Sequence, residues 1–388
     1  ADAFTNADQW VTTGTWGLAP AGGGDGGGAL ADSPIGDYAN SSDTYALTAV
    51  NLSGTSWPVL RFWDRHRLAD NDWGWLEIST DGVNWTRIYG VAGIRTDWAE
   101  QVVDLSPWKG QPNLRIRFHL STDGGGTEDG WYVDDLSVAD HAPGPLAWPF
   151  QENFENGLAH WLHAGWYPAT NAPYAGSNCL RSTTGTRLPP EMQFSLVLDR
   201  ELVLTNLASP QLTFWLRGTL DYYAGFRVQV STDGGLTWPE LSALNHDTVF
   251  NSGWLRQQVS LQPYTNQTIR LRFWIYDYYG SAPFADLALD KLTLEDVPTP
   301  VVLQNVTPHL KTVDLNWTPS ALGGAFQRYE VYRATHSSVT FNDTLIGTFT
   351  DFSVTNVTDS GLSIGATYYY RVFTVNTNDT YAPSNERT

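Results

Sequence analysis

One sequence pattern occurs twice in the first three hundred residues of this chain. Six short segments recur in the same order, and the offset between the copies stays between 150 and 156 residues. The paired segments include Phe4–Trp10 with Phe154–Trp161, Leu60–Trp63 with Leu212–Trp215, Ser79–Trp85 with Ser231–Trp238, Leu114–Phe118 with Ile269–Phe273, and Val133–Val138 with Leu289–Leu294. A collinear repeat of this kind predicts two tandem units of the same fold.

The repeated segments carry the period-two pattern of β-strands. In one of them Leu114, Ile116 and Phe118 alternate with Arg115 and Arg117, which puts apolar side chains on one face and charged ones on the other. A Ser-Thr-Asp-Gly turn stands before a tryptophan in both copies, and Asp and Gly are the residues that such turns between antiparallel strands favour. Each copy is therefore predicted to form a two-sheet β-sandwich.

Two proline-rich stretches, residues 141–149 and 297–300, interrupt this alternation. Such stretches are typical of linkers between domains. The predicted organisation is a first domain over 1–140, a linker over 141–152, a second domain over 153–296 and a third domain over 297–388.

Each repeat resembles a known kind of module. The order Phe-Glu-Asn-Gly, then Ser-Thr-Asp-Gly-Gly-x-Thr-Trp, then Asp-Gly-Trp-Tyr-Val-Asp-Asp is similar to MAM-like jelly-roll modules of immune inhibitor A-type metallopeptidases and of bacterial surface proteins. The second copy departs from it near its end, where Asp290-Lys291 replaces Asp134-Asp135. The resemblance implies two tandem jelly rolls.

The last segment resembles a fibronectin type III domain. Val313–Trp317 is similar to its second strand with the core tryptophan, Tyr329–Arg333 to its third strand, and Tyr368 to its corner tyrosine. The resemblance implies a spacer or adhesion role. The predicted fold class is all-β, with two tandem jelly-roll β-sandwiches followed by one fibronectin type III-like β-sandwich.

Catalytic motifs are absent from the sequence. None of the eight His residues stands in His-Glu-x-x-His, and no Gly-x-Ser-x-Gly nucleophile elbow occurs. The single cysteine, Cys179, lies in no motif and has no partner for an intrachain disulfide. We therefore expect a chain that is not an enzyme itself. The accessory region of a secreted peptidase or glycosidase is one of the roles open to such a chain.

Four carboxylates in the first repeat are candidate ligands for a structural calcium ion. Asp123, Asp129, Asp134 and Asp135 offer oxygen ligands beside flexible, glycine-rich backbone, which a hard cation requires. The alternative is that Asp129 and Asp135 only cap turns. No other cofactor is expected.

The alternation also predicts a surface that mixes large aromatic side chains with arginine. Its members are Trp63, Arg65, Trp73, Trp75, Glu77, Arg115, Arg117 and His119 in the first repeat and Trp215, Arg272, Trp274 and Tyr276 in the second. Three interpretations stay open: packing of a loop or domain over this face, a protein–protein or self-assembly contact, and stacking on sugar rings.

The formal net charge of −19 argues against nucleic acid and against anionic membranes as partners. No apolar run is long enough to span a membrane. The sequence predicts a non-catalytic binding or adhesion segment of a prokaryotic extracellular or cell-surface protein, whose partner is a glycan or a protein. The alternatives are a self-assembling subunit of an extracellular filament or surface layer, and a pair of carbohydrate-binding modules attached to a secreted hydrolase.

Overall fold

The computed structural model describes residues 9–20, 22–24, 26–182, 191–205, 207, 209–218, 220, 222–245, 253–277, 287–322, 326–377 and 380–388. Within these ranges the secondary structure is β-strand, apart from two single-turn 3-10 helices at Ser106–Trp108 and Gln262–Tyr264. The all-β prediction is confirmed. The chain divides into two compact units. The first contains residues 1–203, 213–259 and 267–293, and the second contains residues 204–212, 260–266 and 294–388.

The first repeat forms a sandwich of two five-stranded antiparallel sheets. One sheet has the order β1-β4-β9-β6-β7 and the other β2-β3-β10-β5-β8. The strands are β1 (Val11–Thr12), β2 (Gly17–Ala19), β3 (Ala29–Ala31), β4 (Asp43–Val50), β5 (Pro58–Arg67), β6 (Trp73–Ser79), β7 (Thr86–Val91), β8 (Ile94–Asp104), β9 (Leu114–Ser121) and β10 (Gly130–Asp140).

The second repeat forms two sheets in the same arrangement. Their orders are β12-β15-β21-β18-β19 and β13-β14-β22-β17-β20, with β16 paired to β21 and β11 to β22. The strands are β11 (Phe150–Glu152), β12 (Trp161–Ala164), β13 (Tyr167–Ala169), β14 (Cys179–Arg181), β15 (Met192–Leu198), β16 (Leu202–Val203), β17 (Pro210–Arg217), β18 (Ala224–Ser231), β19 (Glu240–Asn245), β20 (Leu255–Ser260), β21 (Thr268–Asp277) and β22 (Ala288–Asp296). The repeat seen in the sequence is therefore a repeat of topology.

Equivalent aromatic side chains form the two cores. In the first sandwich the rings of Phe62 and Phe118 meet edge to face at 5.3 Å. In the second sandwich Phe214 and Phe273 do the same at 5.1 Å. All four side chains are buried. Edge-to-face aromatic pairs add to the stability that burial alone provides.

A fully buried carboxylate distinguishes the first core from the second. Asp64 points inward from β5 and accepts four hydrogen bonds. Two of them come from Arg95 at 2.5 Å and from Tyr89 Oη at 3.0 Å. The other two donors are Gln101 Nε2 and Trp131 Nε1, each 3.1 Å from a carboxylate oxygen. The equivalent position in the second repeat is Leu216, which is buried and apolar. We call Asp64 and its four donors the Asp64 hub.

The Asp64 hub reaches the second sandwich. The Gln101 side chain accepts a hydrogen bond from the Gly165 backbone N–H at 3.0 Å, and its Nε2 lies 3.3 Å from Tyr167 Oη. The Tyr89 and Tyr167 hydroxyls lie 3.2 Å apart. The two sandwiches are thus joined by hydrogen bonds that begin at a buried charge.

A second contact between the sandwiches is apolar. Trp57, Val59 and Val102 of the first repeat form one buried cluster with Leu162 and Val197 of the second. Alongside it, the Arg270 guanidinium lies 3.6 Å from the centre of the Trp57 ring and donates to Ser106 Oγ at 3.1 Å. This burial explains why the first sandwich and most of the second belong to one compact unit.

The C-terminal segment forms a three-stranded sheet β23-β24-β27 and a four-stranded sheet β26-β25-β28-β29. Trp317 is buried against Tyr329, and the Tyr368 hydroxyl accepts a hydrogen bond from the Ser363 N–H at 3.2 Å, as a corner tyrosine does. The strands are β23 (Thr307–Pro308), β24 (Thr312–Asn316), β25 (Phe326–Ala334), β26 (Thr344–Phe349), β27 (Asn356–Ser360), β28 (Tyr369–Asn376) and β29 (Tyr381–Pro383).

Among the described residues there is no helix that is long and apolar enough to cross a membrane.

Replacing Asp64 by Asn should lower the free energy of unfolding of the first unit by about 3–5 kcal/mol, because the buried Arg95 guanidinium loses its counter-charge. Urea denaturation followed by tryptophan fluorescence measures the effect. The matched control is Asp135→Asn, an exposed carboxylate whose backbone φ of 51° Asn tolerates, and it should stay within about 0.5 kcal/mol of the parent. A loss below about 1 kcal/mol in Asp64→Asn would mean that the Asp64 hub is not what supports this core.

Candidate functional site

The repeated Ser-Thr-Asp-Gly turn sets one tryptophan in each sandwich over the outer face of a sheet. In the first copy the Ser79 hydroxyl accepts from the Gly82 N–H at 2.8 Å, and Asp81 Oδ1 accepts from the Asn84 N–H at 2.8 Å. Gly82 has a φ of 79°, which favours glycine. The chain that leaves this turn places the Trp85 ring 4.0 Å from the Arg117 guanidinium of β9.

The second copy repeats the arrangement. The Ser231 hydroxyl donates to Asp233 at 2.7 Å, and Asp233 accepts from the Thr237 N–H at 3.0 Å. The Arg272 guanidinium of β21 then lies 4.4 Å from the centre of the Trp238 ring. The turn and the stacked Trp–Arg pair are one unit that both repeats share.

On the outer face of the first sandwich the shared pair is tied to a buried glutamate. Glu77 on β6 accepts a hydrogen bond from Arg117 Nε at 2.5 Å, lies 3.1 Å from His119 Nδ1, and pairs with Arg87 Nε at 3.3 Å. Arg87 in turn lies 4.0 Å from the centre of the Trp75 ring. We call this set of Trp75, Glu77, Arg87, Arg117 and His119 the Glu77 face.

The centre of the Glu77 face is buried, which corrects the expectation of a solvent-facing surface. Glu77 and Trp75 do lie on the outer side of the sheet, but only 3% and 4% of their surfaces are exposed. Burial on its own would raise the pKa of Glu77. The hydrogen bonds from His119 and Arg117 outweigh it and hold the pKa at about 2. These side chains mainly form hydrogen bonds and ion pairs with one another, so their main role is structural.

The outer face of the second sandwich has a related set, which we call the Arg272 face: Arg227, Gln229, Arg272, Trp274 and Tyr276. Gln229 stands where the first repeat has Glu77, and it accepts from Arg272 Nε at 2.8 Å. The Trp274 and Tyr276 rings lie 4.8 Å apart, and Arg227 donates to the Tyr276 hydroxyl at 2.6 Å.

The first sandwich covers one end of this face. Trp238 packs against the apolar cluster between the sandwiches, and Arg270 on β21 is buried beneath Trp57. Burial lowers the pKa of Arg272 to about 10. Packing of a neighbouring domain, one of the three interpretations left open by the sequence, therefore accounts for this end of the Arg272 face.

The other end of the Arg272 face opens into a groove of about 630 Å³ between the two sandwiches. We call it the junction groove. Its lining includes Trp85 and Arg87 from the first sandwich and Glu191, Gln193, Trp274 and Tyr276 from the second. It therefore combines aromatic rings with side chains that form hydrogen bonds, and it requires both repeats.

The sequence interpretation treated Trp63, Arg65 and Trp215 as members of the same faces, and the structure corrects this. Trp63 and Arg65 lie on β5 and Trp215 on β17, in the sheets opposite those that carry the Glu77 and Arg272 faces. Strand alternation tells which residues share a side of one strand, but it does not tell which strands share a sheet.

Loops cover parts of these opposite sheets. The Arg65 guanidinium lies 4.3 Å from the Tyr132 ring and 5.5 Å from the Trp98 ring. Gly24, which belongs to the glycine-rich stretch 22–28 of the sequence, packs on Trp98. Trp215 stacks on Tyr174 at 3.8 Å. Trp63 is 40% exposed.

Two further predicted members lie at the margins of the Glu77 face. Trp73 begins β6 opposite Ser121, and Arg115 on β9 stands opposite Ser79. Both are half-buried.

Three of the four candidate calcium ligands accept hydrogen bonds within the protein. Asp134 Oδ2 accepts from the Gly24 N–H at 2.8 Å, Asp129 Oδ1 from the Tyr132 hydroxyl at 3.1 Å, and Asp123 Oδ1 from the Gly125 N–H at 2.7 Å. Asp135 is exposed on a β-bulge. The part of the chain that the structure describes contains no group of three or more His, Cys, Asp or Glu side chains that could hold a metal ion. Calcium binding stays a prediction.

Of the nine described residues that line the junction groove, the sequence analysis named only Trp274 and Tyr276 as site residues. It missed the other seven, which include Trp85, Arg87, Glu191 and Gln193. It also missed the Asp64 hub. One feature of the sequence indicates the hub. Asp64 occupies an inward position between Phe62 and His66, where the second repeat has the apolar Leu216. Apart from Trp274 and Tyr276, the residues that line the groove follow no pattern within either repeat that predicts them.

A fibronectin type III domain model matches residues 296–388. The chain is also 29% identical over 154 residues to Bacillopeptidase F of Bacillus subtilis (strain 168), a match that covers 37% of this chain and 11% of that protein. The chain thus spans about a ninth of that relative's length.

Two solved structures resemble parts of the chain. The K2 cleaved adhesin domain of Lys-gingipain is 13% identical, with 38% of this chain and 98% of that one covered at a TM-score of 0.29. TmCBM61 in complex with β-1,4-galactotriose is 13% identical, with 37% and 94% covered at a TM-score of 0.28.

Glu77 should make stability depend on pH in the acid range. Its folded pKa is lowered from 4.5 to about 2, so the carboxylate contributes about 3 kcal/mol that is fully present above about pH 5 and is lost as the pH falls towards 2. The difference in unfolding free energy between the parent and Glu77→Gln should therefore shrink as the pH is lowered from 5 towards 2. Urea denaturation at several pH values measures it. A difference that does not change with pH would show that the Glu77 charge is not what the network stabilises.

Proposed function

We propose that this chain is a non-catalytic binding segment of an exported protein, in which the two fused sandwiches present one ligand site. The observation that carries the proposal is the junction groove. Its volume of about 630 Å³ lies in the range of ligand pockets, and aromatic rings and hydrogen-bonding side chains converge in it. Pockets of this composition are the default candidates for binding sites.

The way the sandwiches are joined supports a single rigid site. The Asp64 hub and the apolar cluster around Trp57 hold the Trp85 turn of one repeat beside β15 and β21 of the other. A site built from two modules binds well only if their spacing is already set, because ordering them at the moment of binding would weaken affinity.

The domain composition supports an accessory role. Residues 296–388 match fibronectin type III, and a stretch of 154 residues is similar to part of a protein named a peptidase. We infer that the segment serves beside a hydrolase domain outside the cell, and holds that domain near a polymeric substrate or a cell surface.

The purified chain should bind a polymer without degrading it. We expect it to be depleted from solution by at least one of insoluble cellulose, chitin, xylan or bacterial cell walls, and to release no soluble fragments from them. Co-sedimentation measures the binding, and reducing-end and peptide assays measure degradation. If the chain binds none of these polymers, the proposal is contradicted. Release of fragments would show catalysis instead.

The solution mass separates binding from self-assembly. Light scattering behind a sizing column should give a mass near the chain's 43.0 kDa, both with calcium and after chelation. A polymer that forms without calcium would instead favour the structural-subunit interpretation.

A further inference from the structure

We infer that the junction groove binds a stretch of uncharged polysaccharide. This inference rests on the proposed function and names the ligand class of the same site.

The aromatic side chains of the groove suit a sugar ring. Trp274 and Tyr276 project from the same side of β21, with ring centres 4.8 Å apart and planes 35° from parallel, and both are half-buried. The CH groups on one face of a pyranose ring pack well against such rings, while its hydroxyls stay at the edge. Trp85, from the first sandwich, lines the other side of the groove.

Among the described residues at the groove, the guanidinium groups of Arg87 and Arg227 are each paired with a carboxylate, and Asp277 adds a buried carboxylate to the lining. Arg87 pairs with Glu191 at 2.9 Å and with Glu77 at 3.3 Å. Arg227, which donates to the Tyr276 hydroxyl, pairs with Glu240 at 2.7 Å. An anionic ligand would have to compete with these carboxylates, in a chain whose net charge is −19. A cationic ligand would meet the guanidinium groups. Charge complementarity therefore favours a ligand that carries hydroxyls and no net charge.

The polar side chains of the groove can bond hydroxyls. Glu191 and Gln193 lie side by side on β15 and the turn before it, and Gln193 stands opposite Tyr276 in the sheet. Carboxylate and amide oxygens accept hydrogen bonds from hydroxyls, and the amide also donates. Glu191 has a backbone φ of 56°, a conformation that costs energy in a residue with a Cβ and that is concentrated at functional sites.

Isothermal titration of the full chain tests the inference. The probes are the uncharged hexasaccharides of glucose, xylose, mannose and N-acetylglucosamine, each β-linked, together with hexagalacturonate as the charged counterpart. At least one uncharged hexasaccharide should bind, and its affinity should change less than twofold when NaCl rises from about 0.05 M to about 0.5 M, because no charge is neutralised on binding. Tighter, salt-sensitive binding of hexagalacturonate would overturn the inference.

Three variants locate the site. Trp274→Ala should weaken binding by about tenfold or more, and Gln193→Ala by several-fold. Trp63→Ala is the matched control, because it removes an exposed tryptophan from the opposite sheet of the first sandwich, and its affinity should equal that of the parent. Unchanged melting temperatures of the variants would show that losses of binding are not losses of folding. Gln193→Ala, which removes only a half-buried polar group, provides the test if Trp274→Ala does not fold.

The outcomes separate the two proposals. If the chain binds a polysaccharide, but Trp63→Ala loses affinity while Trp274→Ala and Gln193→Ala keep it, the groove assignment is wrong and the proposed function stands. If no hexasaccharide binds and the chain is retained only on cell walls, the ligand class is wrong. If nothing binds in any assay, both fail.

Discussion

A buried negative charge holds the first unit together. Asp64 has 0% exposure and lies among aromatic rings, where an ionised carboxylate is tolerated only if its hydrogen-bonding capacity is met. Arg95 supplies the counter-charge, while Gln101 and Tyr89 hydrogen-bond to the carboxylate and also reach Gly165 and Tyr167 of the second sandwich. Satisfying this one charge therefore also fixes how the sandwiches meet. The junction groove depends on that fixed arrangement.

The two repeats use the same topology differently. Both set a tryptophan from a Ser-Thr-Asp-Gly turn over an arginine on the next strand. In the first repeat Glu77 then draws Arg87, Arg117 and His119 into a closed network. In the second repeat the side chain of the neutral Gln229 has one hydrogen bond within the described part of the chain, which it accepts from Arg272. Trp274 and Tyr276 line a groove there. Besides the change from Glu77 to Gln229, the second repeat has Arg227, Glu240 and Trp274 where the first has Trp75, Arg87 and His119. These replacements together, on a shared scaffold, separate a structural face from a candidate binding face.

The same comparison shows why sequence reasoning placed the strands well and the site less well. Alternation correctly put Arg117, His119, Trp274 and Tyr276 on the outer sides of their strands. It could not show that Trp63 and Trp215 belong to opposite sheets, because sheet membership follows from hydrogen bonds between distant strands. It also could not show that Trp75 is covered by Arg87, because that contact depends on the register between β6 and β7.

The sequence by itself determined the all-β class, the duplication and the fibronectin type III segment, because strand periodicity, turn residues and repeated motifs are local properties of the chain. Only the tertiary structure decided that Asp64 is a hub, that Trp75 and Glu77 on the outer face of one repeat are buried, and that the two sandwiches share a groove. Each of these depends on contacts between residues that are far apart in sequence, such as Gln101 with Gly165 and Arg87 with Glu191. No pattern within either repeat records which surface of the other it will meet.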